Sequence, residues 1–366
     1  MDTKRLLYTA STTRHLKHFH QPYMAMLEEK GAVVDILANG SATDFPEHRF
    51  FNIPFYKKIL SPKNIGIVLK IRKILKKNKY DVIVLNTALT AALVRLALPK
   101  RIKRSTRVVN ISHGYFFGQN ISPKKNKLYL SIERILAKKT DDIVVMNSED
   151  LAYAKKFGLC SKNVFFVHGM GYDPKKYFGE VKSLNNAPTT DLVYVAEHSE
   201  RKNHKELFSA MAKAVQQGAN LTLTLAGDGK LLEENKRLAK SLGLAERINF
   251  LGYINNVIPV YSTCDYVVST SKIEGLPFNL LEALACGIPC IVSDVKGNRD
   301  LIKNENNGYI YKPGDIDRLA QILAVLNKNT RTYMHMQAEA KKSVTPYAIE
   351  ATKKEFAAIF DKVLIG

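Results

Sequence analysis

At 366 residues the chain exceeds the size at which a single hydrophobic core usually stops growing, so two domains of ordinary size are expected. With 46% hydrophobic and 24% charged residues, no low-complexity tract and no run of 18 apolar residues, the composition excludes a disordered or fibrous chain and a membrane-spanning helix. The net charge of +21 is uneven: residues 1–170 carry 30 Lys and Arg against 12 Asp and Glu, which leaves +3 for the remainder, so the first half is expected either to meet an anionic partner or simply to be solvated.

In chain order, the first half alternates short β-branched runs with longer helical ones. The N-terminus enters a strand-like stretch, Leu6 to Ala10, without the apolar core of a secretory signal, and a cytoplasmic location is expected. Strands are read at Arg5 to Ala10, Val33 to Ala38, Asp81 to Leu85, Arg107 to Ile111, Asp142 to Met146 and Asn163 to Val167. Helices over 16–30, 61–79, 87–98 and 125–139 lie between most of them. His15, His18 and His20 in TRHLKHFHQP are read as part of the helix they open, with no third metal ligand in view and no bound metal expected. Helix 61–79 sets Ile65, Val68, Ile71 and Leu75 near one stripe and Lys70, Arg72, Lys73, Lys76 and Lys77 around much of the rest. With the basic clusters at 100–104 and 124–127, it points to an anionic membrane surface. No zinc finger, aromatic-basic RNA-binding stretch or helix-turn-helix accompanies the charge, which argues against nucleic acid. In RVVNISHGYFFG a strand delivers His113 to its carboxyl end, where a neutral imidazole can hydrogen-bond a substrate.

The turn-rich stretch from Gly169 to Thr190 reads as a linker, after which the alternation restarts. Strands are expected at Asp191 to Val195, Leu221 to Ala226, Ile248 to Leu251, Tyr266 to Ser269 and Pro289 to Ser293, with helices over 203–216, 231–242 and 277–286 and a last one near 348–364. The fold class is therefore α/β, two doubly wound domains over 1–170 and 171–347, with the final helix returning to the first. Cys160, Cys264, Cys286 and Cys290 show neither CxxC pairing nor zinc spacing and are read as buried thiols.

Ligands of such sheets sit at the carboxyl ends of strands, beside helix N-termini. The segment DYVVSTSKIEGLPFNLLEALACGIPCIVSD, residues 265–294, reads as strand, loop, helix, strand, with Pro277 suited to the first helical position and Gly287 to the cap after the last turn. Backbone N–H groups at Phe278 and Asn279 then form a phosphate site helped by the helix dipole. Glu274 before the helix is placed to accept from hexose hydroxyls and Glu282 within it from ribose hydroxyls, because a carboxylate accepts several hydrogen bonds. In DLVYVAEHSERKNH, residues 191–204, a strand ends and a loop delivers Arg201 and Lys202, cations suited to a diphosphate leaving group.

The run E-G-L-P-F-N-L-L-E-A-L-A-C-G-I-P-C-I-V-S resembles the E-x7-E signature of family 4 (group 1) glycosyltransferases, and AGDGK at 226–230 and LGYI at 251–254 are similar to family segments around the nucleotide. The resemblance implies a GT-B fold, two Rossmann-like domains with the active site in the cleft between them. It implies transfer, with retention of configuration and no bound metal or other cofactor, of a hexose or N-acetylhexosamine from a nucleotide diphosphate sugar. UDP is the commoner nucleotide. The implied acceptor is a lipid-linked saccharide of bacterial capsule, exopolysaccharide or O-antigen assembly, with the protein peripheral on the inner face of the membrane. Glu274, Lys202 and His113 would then be catalytic, and Arg201, Lys202, Gly227, Phe278, Asn279, Glu282, Gly252 and Tyr253 would hold the donor. The chain departs from the family in carrying Ala196 and Glu197 where Gly and Arg are commoner, which leaves Glu197 without a role, and in lacking a double Gly in the loop Ser11 to Arg14. Two rivals make different demands: a sugar-nucleotide epimerase on the same fold would turn over its substrate without an acceptor, and a basic nucleic-acid-binding protein would ignore sugar nucleotides.

Overall fold

The computed structural model describes residues 3–56, 61–177, 189–326 and 330–365. The chain forms two compact units, Met1–Gly171 with Ile349–Gly366, and Tyr172–Ala348. In the first, seven strands pair in parallel: β1 (Arg5–Thr12), β2 (Val33–Asn39), β3 (Phe50–Asn52), β4 (Val82–Asn86), β5 (Arg107–Ser112), β6 (Asp142–Val145) and β7 (Asn163–Phe166), in the order β3-β2-β1-β4-β5-β6-β7. The second has β8 (Thr190–Val195), β9 (Leu221–Ala226), β10 (Ile248–Gly252), β11 (Tyr266–Ser269), β12 (Cys290–Ser293) and β13 (Gly308–Tyr311), in the order β10-β9-β8-β11-β12-β13. Both orders step outward from a central strand and then jump to its other side, the doubly wound pattern of Rossmann-like sheets. Alternate residues enter two separate cores: Leu192, Tyr194, Val268 and Ile291 join one buried cluster, while Val193, Val267, Cys290 and Val292 join another. A parallel sheet covered on both faces requires such strands.

The sequence reading differs from this structure at several places. It passes over β3, a three-residue edge strand, and β13, together with the helices Ser148–Lys156, Ile316–Ala324 and Arg331–Ser343. The expected helix 16–30 is broken: Thr13–His15 is followed by a π-helical turn, Leu16–His20, and then by the helix Gln21–Glu29. Pro22, which has no N–H, opens that last segment, and the Gln21 N–H closes an i→i+5 bond to Leu16 O. Helix Lys63–Lys77 buries Asn64, Ile67, Ile71 and Leu75, whereas Ile65 and Leu69 are 65% and 59% exposed, so Ile65 leaves the expected inner stripe. Half of the linker, residues 178–188, lies outside the described residues. Cys264 and Cys290 are buried, but Cys160 and Cys286 are only half-buried. No helix among the described residues is long and apolar enough to cross a membrane.

The last helix, Ile349–Ile365, belongs to the first unit. Its Phe356 ring lies 4.4 Å from that of Tyr23, whose hydroxyl bonds Thr352 at 2.8 Å, and Glu355 accepts from the His168 backbone N–H at 2.9 Å. Gly171, at φ +69°, allows the close approach at the start of this helix: a Cβ there would lie 2.7 Å from Ile349 Cα.

Candidate active-site residues

In the second unit, β8 ends at Val195 and a short loop leads to helix His204–Gln216 through Asn203, a left-handed residue at φ +54°. Asparagine tolerates that conformation better than most side chains. The loop is pinned to the stretch following β11. Lys202 O accepts from Tyr194 Oη at 2.8 Å and Thr270 Oγ1 at 3.1 Å, and the Lys272 N–H donates to Arg201 O at 2.8 Å. These bonds bring three of the expected site residues together. Glu274 Oε1 accepts from Lys202 Nζ at 2.7 Å and from Arg201 Nη1 at 2.9 Å. Lys202 and Glu274 are both buried. Burial alone would raise the Glu274 pKa, but Lys202 and then Arg201 outweigh it and hold the carboxyl below its usual range. Burial also pulls the Lys202 ammonium down, against the attraction of Glu274. In the structure the carboxylate and both cations form one cluster.

Helix Phe278–Ala285 begins after Pro277, which stands at the N-cap rather than at the expected first helical position. The helix ends as read. Gly287 adopts φ +74°, its N–H bonds Leu284 O, and the Ile288 N–H bonds Ala283 O, a Schellman closure. Asn279 Nδ2 donates to Val195 O at 3.1 Å and ties the helix start to the end of β8. Glu282 is held by two phenols that sequence reasoning did not single out: Tyr177 Oη donates to Oε1 at 2.8 Å and Tyr261 Oη to Oε2 at 3.2 Å. Burial raises the Glu282 pKa although both hydroxyls favour the ionised form. A carboxylate has about four acceptor sites. Two tyrosines therefore leave capacity for further donors.

Gly227 and Gly252 are brought together, but to each other: the Gly227 N–H donates to Gly252 O at 2.7 Å. A Cβ on Gly227 would sit 2.0 Å from Ala196 O, so this glycine permits backbone packing and its amide is already committed. Gly252 closes β10 itself, and Tyr253 after it is 63% exposed.

In the first unit, His113 follows β5 directly, and its side chain meets two histidines that the sequence reading had assigned to the helix face. His113 Nε2 lies 3.3 Å from His15 Nε2 and 3.0 Å from His20 Nε2. The expectation that no third nitrogen accompanies His15 and His20 is therefore wrong. In a regular α-helix residues five apart diverge by roughly 140°. The π-turn adds a residue to the turn and brings them round to the same side. Burial first, then the neighbouring imidazoles, lowers all three pKa values, to about 4 for His15, to about 3 for His113 and well below the usual value for His20. At the end of β4, close by, Thr87 adopts φ +63°, uncommon for a β-branched residue, and its Oγ1 accepts from the Ser11 N–H at 3.0 Å.

A seven-stranded and a six-stranded sheet, each of parallel strands in Rossmann-type order and one in each unit, are the fold of GT-B transferases. The second unit matches the family model described as glycosyl transferases group 1 over residues 176–343, and the first matches glycosyltransferase family 4 over residues 24–176. A Bacillus subtilis (strain 168) protein named as a glycosyltransferase, EpsD, is 27% identical over 98% of this chain and 96% of its own. An Escherichia coli UDP-Gal:α-D-GlcNAc-diphosphoundecaprenol α-1,3-galactosyltransferase is 27% identical over 80% of this chain and 81% of its own. The crystal structure of Anabaena HepE in complex with UDP and glucose superposes with a TM-score of 0.76 at 20% identity, covering 98% of this chain and 100% of that one. Glycosyltransferase models thus match each unit in turn, together spanning residues 24–343, and the chain is a glycosyltransferase.

Proposed function

We propose that the protein moves a hexose or N-acetylhexosamine from a UDP-sugar to a hydroxyl of a lipid-linked saccharide, with retention of configuration, in bacterial surface polysaccharide assembly. The observation that carries this reading is the cluster of Lys202, Arg201 and Glu274 beside the first turn of helix Phe278–Ala285. In this reading the diphosphate lies against that turn, at Phe278 and Asn279, where the helix dipole favours an anion. Lys202 has three N–H donors and gives one to Glu274, which leaves two for phosphate oxygens. As the sugar–phosphate bond breaks, charge grows on the diphosphate, and cations already fixed by Glu274 stabilise it without rearrangement. Glu274 also accepts from the sugar, and Glu282, oriented by Tyr177 and Tyr261, accepts from the ribose. Gly252 and Tyr253 flank the base. His113 touches the reacting sugar from the first unit, which takes the acceptor.

The names of relatives support the acceptor class, since the Escherichia coli enzyme acts on a diphosphoundecaprenol-linked sugar. The first unit would reach such an acceptor as a peripheral protein on an anionic membrane, with Ile65 and Leu69 exposed among the lysines of helix Lys63–Lys77. The test is transfer of labelled sugar from a panel of UDP- and GDP-sugars to polyprenyl-diphosphate-linked N-acetylhexosamine, with the product anomer read by NMR. Turnover with one UDP-sugar and retained configuration is expected. Turnover of a UDP-sugar without any acceptor would favour an epimerase instead.

A further inference from the structure

The first unit holds a cavity that neither the donor site nor His113 uses. Its volume is about 330 Å³, and it is lined by Thr13, Arg14, Lys17, His18 and Asp44. We infer that it is an oxyanion subsite, which takes the diphosphate joining the acceptor saccharide to its lipid, a reading that rests on the lipid-linked acceptor proposed above. Two strand ends build the cavity. β1 runs to Thr12, which pairs with Asn39 at the end of β2. A Cβ on Gly40 would lie 2.1 Å from Thr13 Oγ1, so the glycine lets the two departing segments close on each other. Thr13 Oγ1 then donates to Asp44 Oδ2 at 2.6 Å, and Lys17 Nζ donates to Asp44 Oδ1 at 3.1 Å. Arg14, Lys17 and His18 are exposed, so the cavity opens to solvent.

Charge selects an anion. Arg14 and Lys17 are two cations against the one carboxylate of Asp44. That carboxylate is engaged: hydrogen bonds from Thr13 and then from Lys17 hold its pKa below the usual range, so at neutral pH it is an ionised anchor that fixes Lys17. Lys17 has three N–H donors and gives one to Asp44, Arg14 carries five, and His18 adds a ring N–H. Donors so outnumber acceptors that the complement is a group rich in acceptor oxygens, and a guanidinium fork matches phosphate oxygens in pairs. The position agrees. Ligands of doubly wound sheets bind at strand carboxyl ends, and this cavity lies over those of β1 and β2, beside the reversal of strand order between β1 and β4. The same helical turn brings His15 and His20 to His113, which follows β5. β1 and β5 stand two strand spacings apart, roughly 10 Å. One acceptor can therefore reach both places, its sugar at His113 and its diphosphate here.

The test uses the full chain saturated with UDP, which occupies the donor site, and titrates it calorimetrically with inorganic pyrophosphate. One further site per chain is expected, weakened at least about tenfold in Arg14→Gln, since hydrogen bonds between charged groups are the strong ones. UDP affinity and melting temperature should not change in that variant. Asp44→Asn keeps an oxygen for Thr13 and removes the negative charge, so it should bind pyrophosphate more tightly. Transfer is then measured to an N-acetylhexosamine linked through diphosphate to a short prenyl chain, and to a neutral alkyl glycoside of the same sugar. Arg14→Gln should raise KM about tenfold for the first acceptor and leave the second unchanged. Absence of the second pyrophosphate site, or equal pyrophosphate affinity in Arg14→Gln and the unmodified protein, would overturn the subsite. So would an unchanged KM for the diphosphate-linked acceptor, and that result would leave the lipid-linked acceptor itself standing. Weaker binding of Arg14→Gln to phosphatidylglycerol vesicles with an unchanged acceptor KM would assign the cavity to a membrane headgroup and overturn the acceptor assignment. No transfer to either acceptor with UDP still bound would overturn the acceptor reading, and the diphosphate assignment with it.

Discussion

Two glutamates eight positions apart on one segment are tuned in opposite directions, and each has its own pH signature. The Glu274 pKa is lowered in the folded chain, so its contribution to stability is present above its unfolded value near 4.5 and disappears as pH falls through the lower folded value. Glu274→Gln should therefore lower the melting temperature at pH 7, and the difference from the unmodified protein should vanish in acid. The Glu282 pKa is raised, so its ionised form opposes folding as pH climbs from 4.5 through the raised value. Glu282→Gln should melt at a higher temperature than the unmodified protein at pH 7, with the gain lost below about pH 4. Melting curves across pH check both signs. Lys202→Ala removes one partner of a buried ion pair and the main cation at the diphosphate. Its turnover should fall by about 10²–10³-fold in a transfer assay, the usual loss for one charge-stabilising donor. Glu274, Glu282, Lys202 and Arg201 stood out in the sequence through resemblance to a family motif and their places at strand ends and a helix start, and the structure joins Glu274, Lys202 and Arg201. Tyr177 and Tyr261 did not, since a phenol that orients a carboxylate from a distant segment follows no local spacing.

At the scale of elements, the helix Phe278–Ala285 was readable nearly residue by residue. Proline before it and glycine after it are backbone signals, and both act here as caps. The turn at Leu16–His20 was unreadable because a 3.6-residue period assumes an unbroken helix, and that assumption separated His15 from His20. His113 was placed correctly at a strand end, but its partners came from that misread turn. The loop between β9 and the following helix shows a third case. Its glycine is expected to contact the donor, and in the structure Gly227 makes room for Ala196 O. Gly227→Ala should therefore act through backbone displacement. We expect a loss of several degrees in melting temperature, with UDP affinity falling as the loop bearing Lys202 shifts. An Ala variant with unaltered stability would refute the packing role.

Over the whole molecule, alternation of strands and helices sufficed to read two parallel α/β sheets, because strands buried on both faces need continuous apolar runs. The short edge strand β3 lacks such a run and went unread. The last helix covers the first unit through Phe356, Phe360 and Val363, all buried. Ending the chain at 348 should expose that surface and leave the first unit prone to aggregation, read by light scattering, with the second unit's melting transition retained. The +18 carried by residues 1–170 belongs to this scale too. Binding to anionic liposomes should be strong at low salt and decline through 0.15 M, where the Debye length is about 8 Å. The central claim, that Tyr172–Ala348 binds a uridine diphosphate sugar through Glu282 and Lys202, is tested most directly by calorimetric titration of UDP into the unmodified, Glu282→Gln and Lys202→Ala proteins. One site per chain, weakened in both variants, is the expected result; no heat with UDP, or equal affinity in all three, would contradict it.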